Sequence, residues 1–146
     1  MLTTTSTWRC RFCKVPEAKI WMKNEHAIAM ADAYPLTDGH TLVVPIRHLP
    51  KLFDCSDEEY VAIWALVAAV RKRLQETYDP DGFNIAVNDG PAAGQTVMHA
   101  HVHVIPRRIG DVAEPRGGVR WIMPEQAPYW EIEEERERLK EDPSEE

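Results

Sequence analysis

The stretch Gly94-Gln95-Thr96-Val97-Met98-His99-Ala100-His101-Val102-His103-Val104-Ile105-Pro106 sets three histidines in strict alternation with apolar residues. In an extended strand every imidazole would lie on one face, and Ala100, Val102 and Val104 on the other. A helix would scatter the same groups around most of its circumference. The Val and Ile content and the terminating Pro106 also favour a strand. A lone histidine would read as a satisfied core residue. Three on one face each need a partner once desolvated, and each titrates near neutrality, so the polar face points to chemistry.

The segment His99 to Ile105 fits the pattern His-φ-His-φ-His-φ-φ, with φ apolar. Asn88-Asp89-Gly90-Pro91-Ala92-Ala93-Gly94-Gln95-Thr96-Val97 precedes it, and Pro106-Arg107-Arg108-Ile109-Gly110-Asp111 follows. On these residues the chain resembles the histidine-triad (HIT) superfamily, most of all its fragile-histidine-triad, or diadenosine polyphosphate hydrolase, branch. The resemblance runs from the first cysteine to about Arg120. It implies an α+β fold: an antiparallel sheet of about five strands with one long helix and a shorter one, assembled as a homodimer. It also implies a nucleotide hydrolase or transferase acting at the α-phosphate through a nucleotidyl-histidine. A dinucleoside polyphosphate, diadenosine tri- or tetraphosphate, is then the favoured substrate. Alternatives are a nucleoside phosphoramidase, a phosphorylase that uses phosphate in place of water, and a nucleotide-binding sensor with negligible turnover.

The bulk properties are compatible with this. A chain of 146 residues, 44% hydrophobic, fits one domain with a full core. The expected division is a single domain over 1–130 and an acidic tail over 131–146, partly helical or disordered. The net charge of -7 is concentrated in that tail, where nine acidic residues face three basic ones, so the body is close to neutral. An anionic substrate meets no general repulsion there, and no basic surface suggests nucleic acid. No apolar run approaches the roughly 18 residues of a membrane span. Met1 to Thr7 is polar, without the layout of a signal peptide, and reads as a frayed start. The expected location is cytoplasmic, with no membrane partner.

Cys10-Arg11-Phe12-Cys13 is a C-x2-C knuckle, which in a reducing compartment indicates metal binding or redox chemistry rather than a disulfide. A structural zinc needs four ligands. The resemblance, here to the wider superfamily including galactose-1-phosphate uridylyltransferases, supplies His48 and His99 as the other two. The other reading is a pair of buried, reduced cysteines without metal.

Glu25 to Tyr34 and Thr41 to Ile46 read as an antiparallel hairpin, with Pro35 and Asp38-Gly39 punctuating a loop of about six residues. Ser56-Asp57-Glu58-Glu59 is a capping box that starts a helix running to about Tyr78, with Cys55 a small hydrophobe against Tyr60. Tyr60, Ile63, Trp64, Val67, Val70 and Leu74 form its core stripe. No charged or strongly polar side chain interrupts Tyr60 to Val70, so a second apolar face is expected on a partner copy. Phe83 to Asn88 is a strand with Phe83, Ile85 and Val87 inward, and it returns through a small-residue loop to the triad strand as an antiparallel neighbour. Arg107 to Arg120 reads as a glycine-loosened loop or arm for distal phosphates or a second nucleoside, or as a solvated basic loop. Trp121 to Trp130 is too aromatic for a plain linker and is expected to wrap onto the body or close the base pocket. Glu131 to Lys140 reads as a short helix.

The resemblance places Asp32 on the ribose hydroxyls, and His40, Asn88, Gln95 and Thr96 near the phosphates. A carboxylate suits a sugar diol, and amide or hydroxyl donors suit phosphate oxygens. His101, the central histidine, is the expected nucleophile, because an imidazole that attacks phosphorus gives a phosphoramidate labile to water. His103 would donate to the phosphoryl oxygens or protonate the leaving group. His99 is either a zinc ligand or part of that proton network. No catalytic cofactor is needed, and one catalytic metal on all three imidazoles is disfavoured because side chains along one strand splay apart.

Overall fold

The computed structural model describes residues 9–141; the frayed start expected over 1–7 and the disorder expected from Asp142 lie outside them. The described chain forms two compact units, one ending at Ile109 and the other beginning at Gly110.

The first unit is a five-stranded antiparallel sheet crossed by one long helix. Its elements are β1 (Ile20–Lys23), β2 (Ala27–Ala31), β3 (Thr41–Pro45), α1 (Asp57–Tyr78), β4 (Gly82–Val87) and β5 (Val102–Arg107), in the spatial order β1-β2-β3-β5-β4. Strands β2 and β3 are covered on both faces, which is why they read as nearly continuous apolar runs. Ala27, Ala29, Val43, Val102 and Val104 face α1 and meet Ile63, Leu66, Val67, Val70 and Leu74. The small alanines let the helix sit close to the sheet. On the opposite face Ile28, Met30, Leu42 and Val44 pack with Phe12. His103 pairs with Leu42, so its ring belongs to that second face.

Several sequence expectations change in detail. Strand β1 was not anticipated; its Ile20 and Met22 alternate with the exposed Trp21 and Lys23, but the run is only four residues long. Strand β2 ends at Ala31, so the hairpin loop spans 32–40, longer than six residues, and Asp32 opens it instead of lying on the strand. The loop closes through the Asp32 N–H donating to the His40 carbonyl at 3.0 Å. The triad strand begins only at Val102, because backbone groups of 99–101 pair elsewhere: the Ala100 N–H donates to the Leu49 carbonyl at 2.7 Å. Phe83 and Val87 pack on the core as expected, whereas Ile85, on the edge strand, is 42% exposed. Tyr60 is 40% exposed, so the stripe of α1 is Ile63, Leu66, Val67, Val70 and Leu74, with the half-buried Trp64 packed against it.

In the second unit, α2 (Tyr129–Glu141) covers the expected short helix. The segment before it carries its own side-chain contacts. Arg116 grips Glu114, with Nη2 to Oε2 at 2.9 Å, and lies over the Trp130 ring at 4.2 Å. Arg120 donates to the Gln126 and Ala127 carbonyls, and the Trp121 indole N–H donates to the Arg116 carbonyl. Among the described residues no helix is long and apolar enough to cross a membrane.

The start of α1 is as the sequence indicates. Ser56 Oγ accepts from the Glu59 N–H, and Glu59 Oε1 accepts from the Ser56 N–H. Glu59 is buried and also takes the Arg47 guanidinium at 2.7 Å. Arg47 and then the Ser56 N–H hold its carboxyl down at about 2. Ser56→Ala should therefore cost about 1 kcal/mol. Glu59→Gln should be less stable than the parent at neutral pH. Because the folded carboxyl lies below the ordinary 4.5, its contribution is present above that value and lost as pH falls through about 2. Thermal denaturation against pH reads both variants, and a Glu59→Gln deficit that persists undiminished in strong acid would contradict the account.

Candidate functional site

The His101 and His103 rings lie 5.2 Å apart and line one cavity, His99 lies buried behind Phe12, and each of the three is fixed by a different partner. The His99 ring is fully buried, with Nε2 at 2.8 Å from the Pro45 carbonyl. A carbonyl only accepts, so Nε2 carries the proton and Nδ1 keeps its lone pair. That Nδ1 lies 3.5 Å from both Cys10 Sγ and Cys13 Sγ. His101 is held the opposite way round: its Nδ1 is 2.8 Å from the His99 carbonyl, so Nδ1 is the donor and Nε2 bears the lone pair. Phe12 braces both rings edge-on, at 5.9 Å from His99 and 5.3 Å from His101.

His103 stands at the end of a relay. The Leu36 N–H donates to His40 Nδ1 at 3.1 Å, which puts the His40 proton on Nε2. That proton is directed at His103 Nδ1, 2.9 Å away, so His103 in turn carries its proton on Nε2. Asp32 Oδ2 lies 3.5 Å from His40 Nε2, while its Oδ1 accepts from the Tyr34 N–H at 2.8 Å. Burial pushes His103 down to about 4, with His101 and His40 adding to the effect and Asp32 opposing it. Burial likewise lowers His40 and His99. All three rings are therefore neutral at physiological pH. Asp32, His40 and His103 are close enough to hold a metal ion. Both His40 nitrogens are already committed to hydrogen bonds, which makes the group a hydrogen-bonded relay.

A cavity of about 430 Å³ opens over this relay, lined by Asp32, His40, Asn88, Thr96, His101 and His103 at its polar end. Phe12, Val15, Met30 and Leu42 form an apolar wall. Gly94, with φ +93°, brings the loop backbone beside Asn88 in a conformation that favours glycine. Gln95 departs from expectation. Its Oε1 accepts from the Gly90 N–H, and its Nε2 donates to the Pro50 and Val97 carbonyls, so the amide braces the loop and is turned from the cavity. His99 is absent from the lining too. The arginines expected over the phosphates are engaged elsewhere: Arg107 donates to Asn84 Oδ1 at 2.6 Å, and Arg108 donates to the Tyr78 and Asp79 carbonyls. The cations on the cavity wall are Arg11 and Lys19, and sequence reading missed both, together with Phe12. The cysteines on either side of Arg11 and Phe12 drew attention to metal binding instead.

Cys10, Cys13, His48 and His99 form one cluster whose ligand atoms all lie within 4.8 Å of one another. Cys13 Sγ is 3.1 Å from His48 Nδ1. Tetrahedral zinc, with its usual bond lengths, places sulfur and nitrogen roughly 3.6 Å apart, so the cluster fits that ion. The Pro45 carbonyl on His99 Nε2 is the outer contact such a ligand needs. Burial and the neighbouring Cys10 push the Cys13 thiol up to about 11, an environment in which a thiolate requires a cation.

Comparison with known proteins places this architecture. A HIT-domain family model matches residues 14–110. An uncharacterised 16.1 kDa HIT-like protein of Mycoplasma pneumoniae is 40% identical over 102 residues, which covers 67% of this chain and 71% of that protein. A bis(5'-adenosyl)-triphosphatase of Dictyostelium discoideum is 32% identical over 86% of both chains. The crystal structure of a zinc-bound histidine triad family protein from Mycobacterium smegmatis superposes with a TM-score of 0.60 at 39% identity, covering 75% of this chain and 82% of that one. With the triad, the sheet order and the matched span in agreement, the chain belongs to the HIT family.

Proposed function

We propose that this HIT protein hydrolyses nucleotides at the α-phosphate through a covalent nucleotidyl-His101, and that a dinucleoside polyphosphate is its substrate. One observation carries the reading. His101 reaches the cavity with its lone pair on Nε2, and His103 stands beside it with its proton on Nε2. A nucleophile and a donor are thus adjacent without any change of tautomer. The apolar wall takes a base, Asp32 takes the ribose hydroxyls, and Asn88 and Thr96 donate to the phosphate. His101 Nε2 forms the bond to the α-phosphorus while the bridging P–O bond breaks, its electron pair leaving on a phosphate oxygen that departs as the anion, hydrogen-bonded by the His103 Nε2–H. Water then attacks phosphorus and gives up its proton to solvent, the P–N bond breaks with its electron pair returning to His101 Nε2, and a nucleoside monophosphate leaves. The Dictyostelium relative's name supports the choice of substrate.

Diadenosine tetraphosphate, diadenosine triphosphate and adenosine phosphoramidate, incubated separately, should release AMP in the parent. None should be released by His101→Ala, a loss of at least several thousandfold that leaves AMP binding in place. Equal turnover in parent and variant would overturn the nucleophile, and binding without turnover would make the protein a sensor. Cleavage of the phosphoramidate alone would make it a phosphoramidase.

The Cys10, Cys13, His48 and His99 cluster is assigned to a structural zinc that pins the N-terminal knuckle beside the triad. Bound there, the ion would supply structural cross-linking and no catalysis. Three unpaired cysteines accord with a reducing, cytoplasmic setting. Protein purified without a histidine tag should carry one zinc per chain, and Cys13→Ser should lose it and melt earlier. Folded parent protein without stoichiometric zinc would refute this assignment.

A homodimer is the third element of the reading. Val61, Ala65, Ala68 and Ala69 are exposed on the outer face of α1, and edge strand β4 exposes Ile85. Light scattering at micromolar concentration should give twice the chain mass; a monomer would contradict it.

A further inference from the structure

Next to the nucleotide cavity is a second hollow of about 320 Å³, lined by Arg9, Cys10, Arg11, His48, Thr96, Val97 and Met98. Arg11, Thr96 and Val97 line both spaces, so the two adjoin along the knuckle. Among the described residues, the wall of the hollow has two arginines and no carboxylate. Among the described residues Arg11 has no acidic partner; its guanidinium lies over the Phe12 ring at 5.3 Å. The His101 ring meets the same Phe12 ring at 5.3 Å. Arg11 is therefore one aromatic ring away from the nucleophile, and on an exposed turn it can swing toward an anion.

A polyphosphate attacked at its α-phosphorus must extend its remaining phosphates away from the nucleoside. His40 and His103 are kept neutral by burial and offer no net charge to those oxygens. Arg107, Arg108, Arg116 and Arg120 are held by carbonyls and carboxylates. The nucleotide cavity itself offers Arg11 and Lys19, and the adjoining hollow adds Arg9 beside Arg11. We propose that it is a leaving-group subsite in which Arg9 and Arg11 hold the distal phosphates of the substrate. This rests on the function proposed above and narrows it: the favoured leaving group is itself a polyphosphate, and neutral leaving groups gain nothing from the subsite. As the P–O bond breaks, negative charge grows on the departing oxygen, and nearby guanidinium groups stabilise it more than they stabilise the intact anhydride.

The subsite can be read without turnover. With the nucleotide cavity saturated by AMP, inorganic tripolyphosphate should bind to the parent by calorimetry and weaken steeply with added salt. Arg9→Ala and Arg11→Ala should each weaken it by roughly tenfold, with Arg11→Lys intermediate. The kcat/KM ratio of diadenosine tetraphosphate to adenosine phosphoramidate should fall by a similar factor in each alanine variant. Unchanged tripolyphosphate affinity in both alanine variants, or a loss shared equally by both substrates, would overturn the subsite. If AMP itself fails to bind, the nucleotide reading falls. Tripolyphosphate titrated alone then still decides the hollow, since arginine-dependent binding upholds it and its absence refutes it. Both arginines are exposed, so parent-like melting is expected of these variants.

Discussion

The 2.8 Å hydrogen bond from the His101 ring to the His99 carbonyl is the constraint on which the site depends. It assigns the proton to Nδ1, and so leaves the lone pair on the nitrogen that remains for an electrophile. For the bond to hold, the backbone of 99–101 must be rigid without belonging to the sheet ladder. The protein achieves this by clamping the His99 ring to the Pro45 carbonyl and the Ala100 N–H to the Leu49 carbonyl. The cysteine cluster then closes over the free Nδ1 of His99. One histidine of the triad is in this way turned into a support for the next.

Burial has a second consequence. Desolvation lowers His40, His99 and His103, so these imidazoles are distinguished by tautomer instead of charge. Neutral rings can attack and donate, but they do not attract a polyanion. The cations lining the two spaces are Arg11 and Lys19 on the cavity wall and Arg9 with Arg11 in the adjoining hollow. The loop over 32–40 links the parts: Asp32 opens it, the Leu36 N–H fixes the His40 tautomer, and His40 fixes that of His103.

The sequence was most legible where periodicity and caps are local. The apolar alternation of Val102 and Val104, the capping box at Ser56 and Glu59, and the antiparallel return from β4 to β5 all follow from residue spacing. Less legible were features set by tertiary partners. The late start of β5 depends on a carbonyl at position 49, and the short β2 on closure of its loop at His40, neither of which a pattern reveals. Gln95 has the chemistry of a phosphate ligand, yet three backbone groups use its amide. Conversely, Phe12 and Arg11 sit at positions where the flanking cysteines dominate the reading, and only the folded knuckle brings them to His101 and the cavity.

The central claim is a covalent bond between His101 and the α-phosphorus, and the stereochemistry at that phosphorus tests it most directly. A dinucleoside polyphosphate made chiral at the α-phosphorus by sulfur substitution would be hydrolysed in heavy-oxygen water, and the configuration of the released nucleotide determined. Two in-line displacements, first by His101 and then by water, predict overall retention. Inversion would mean that water attacks directly and that His101 is not the nucleophile.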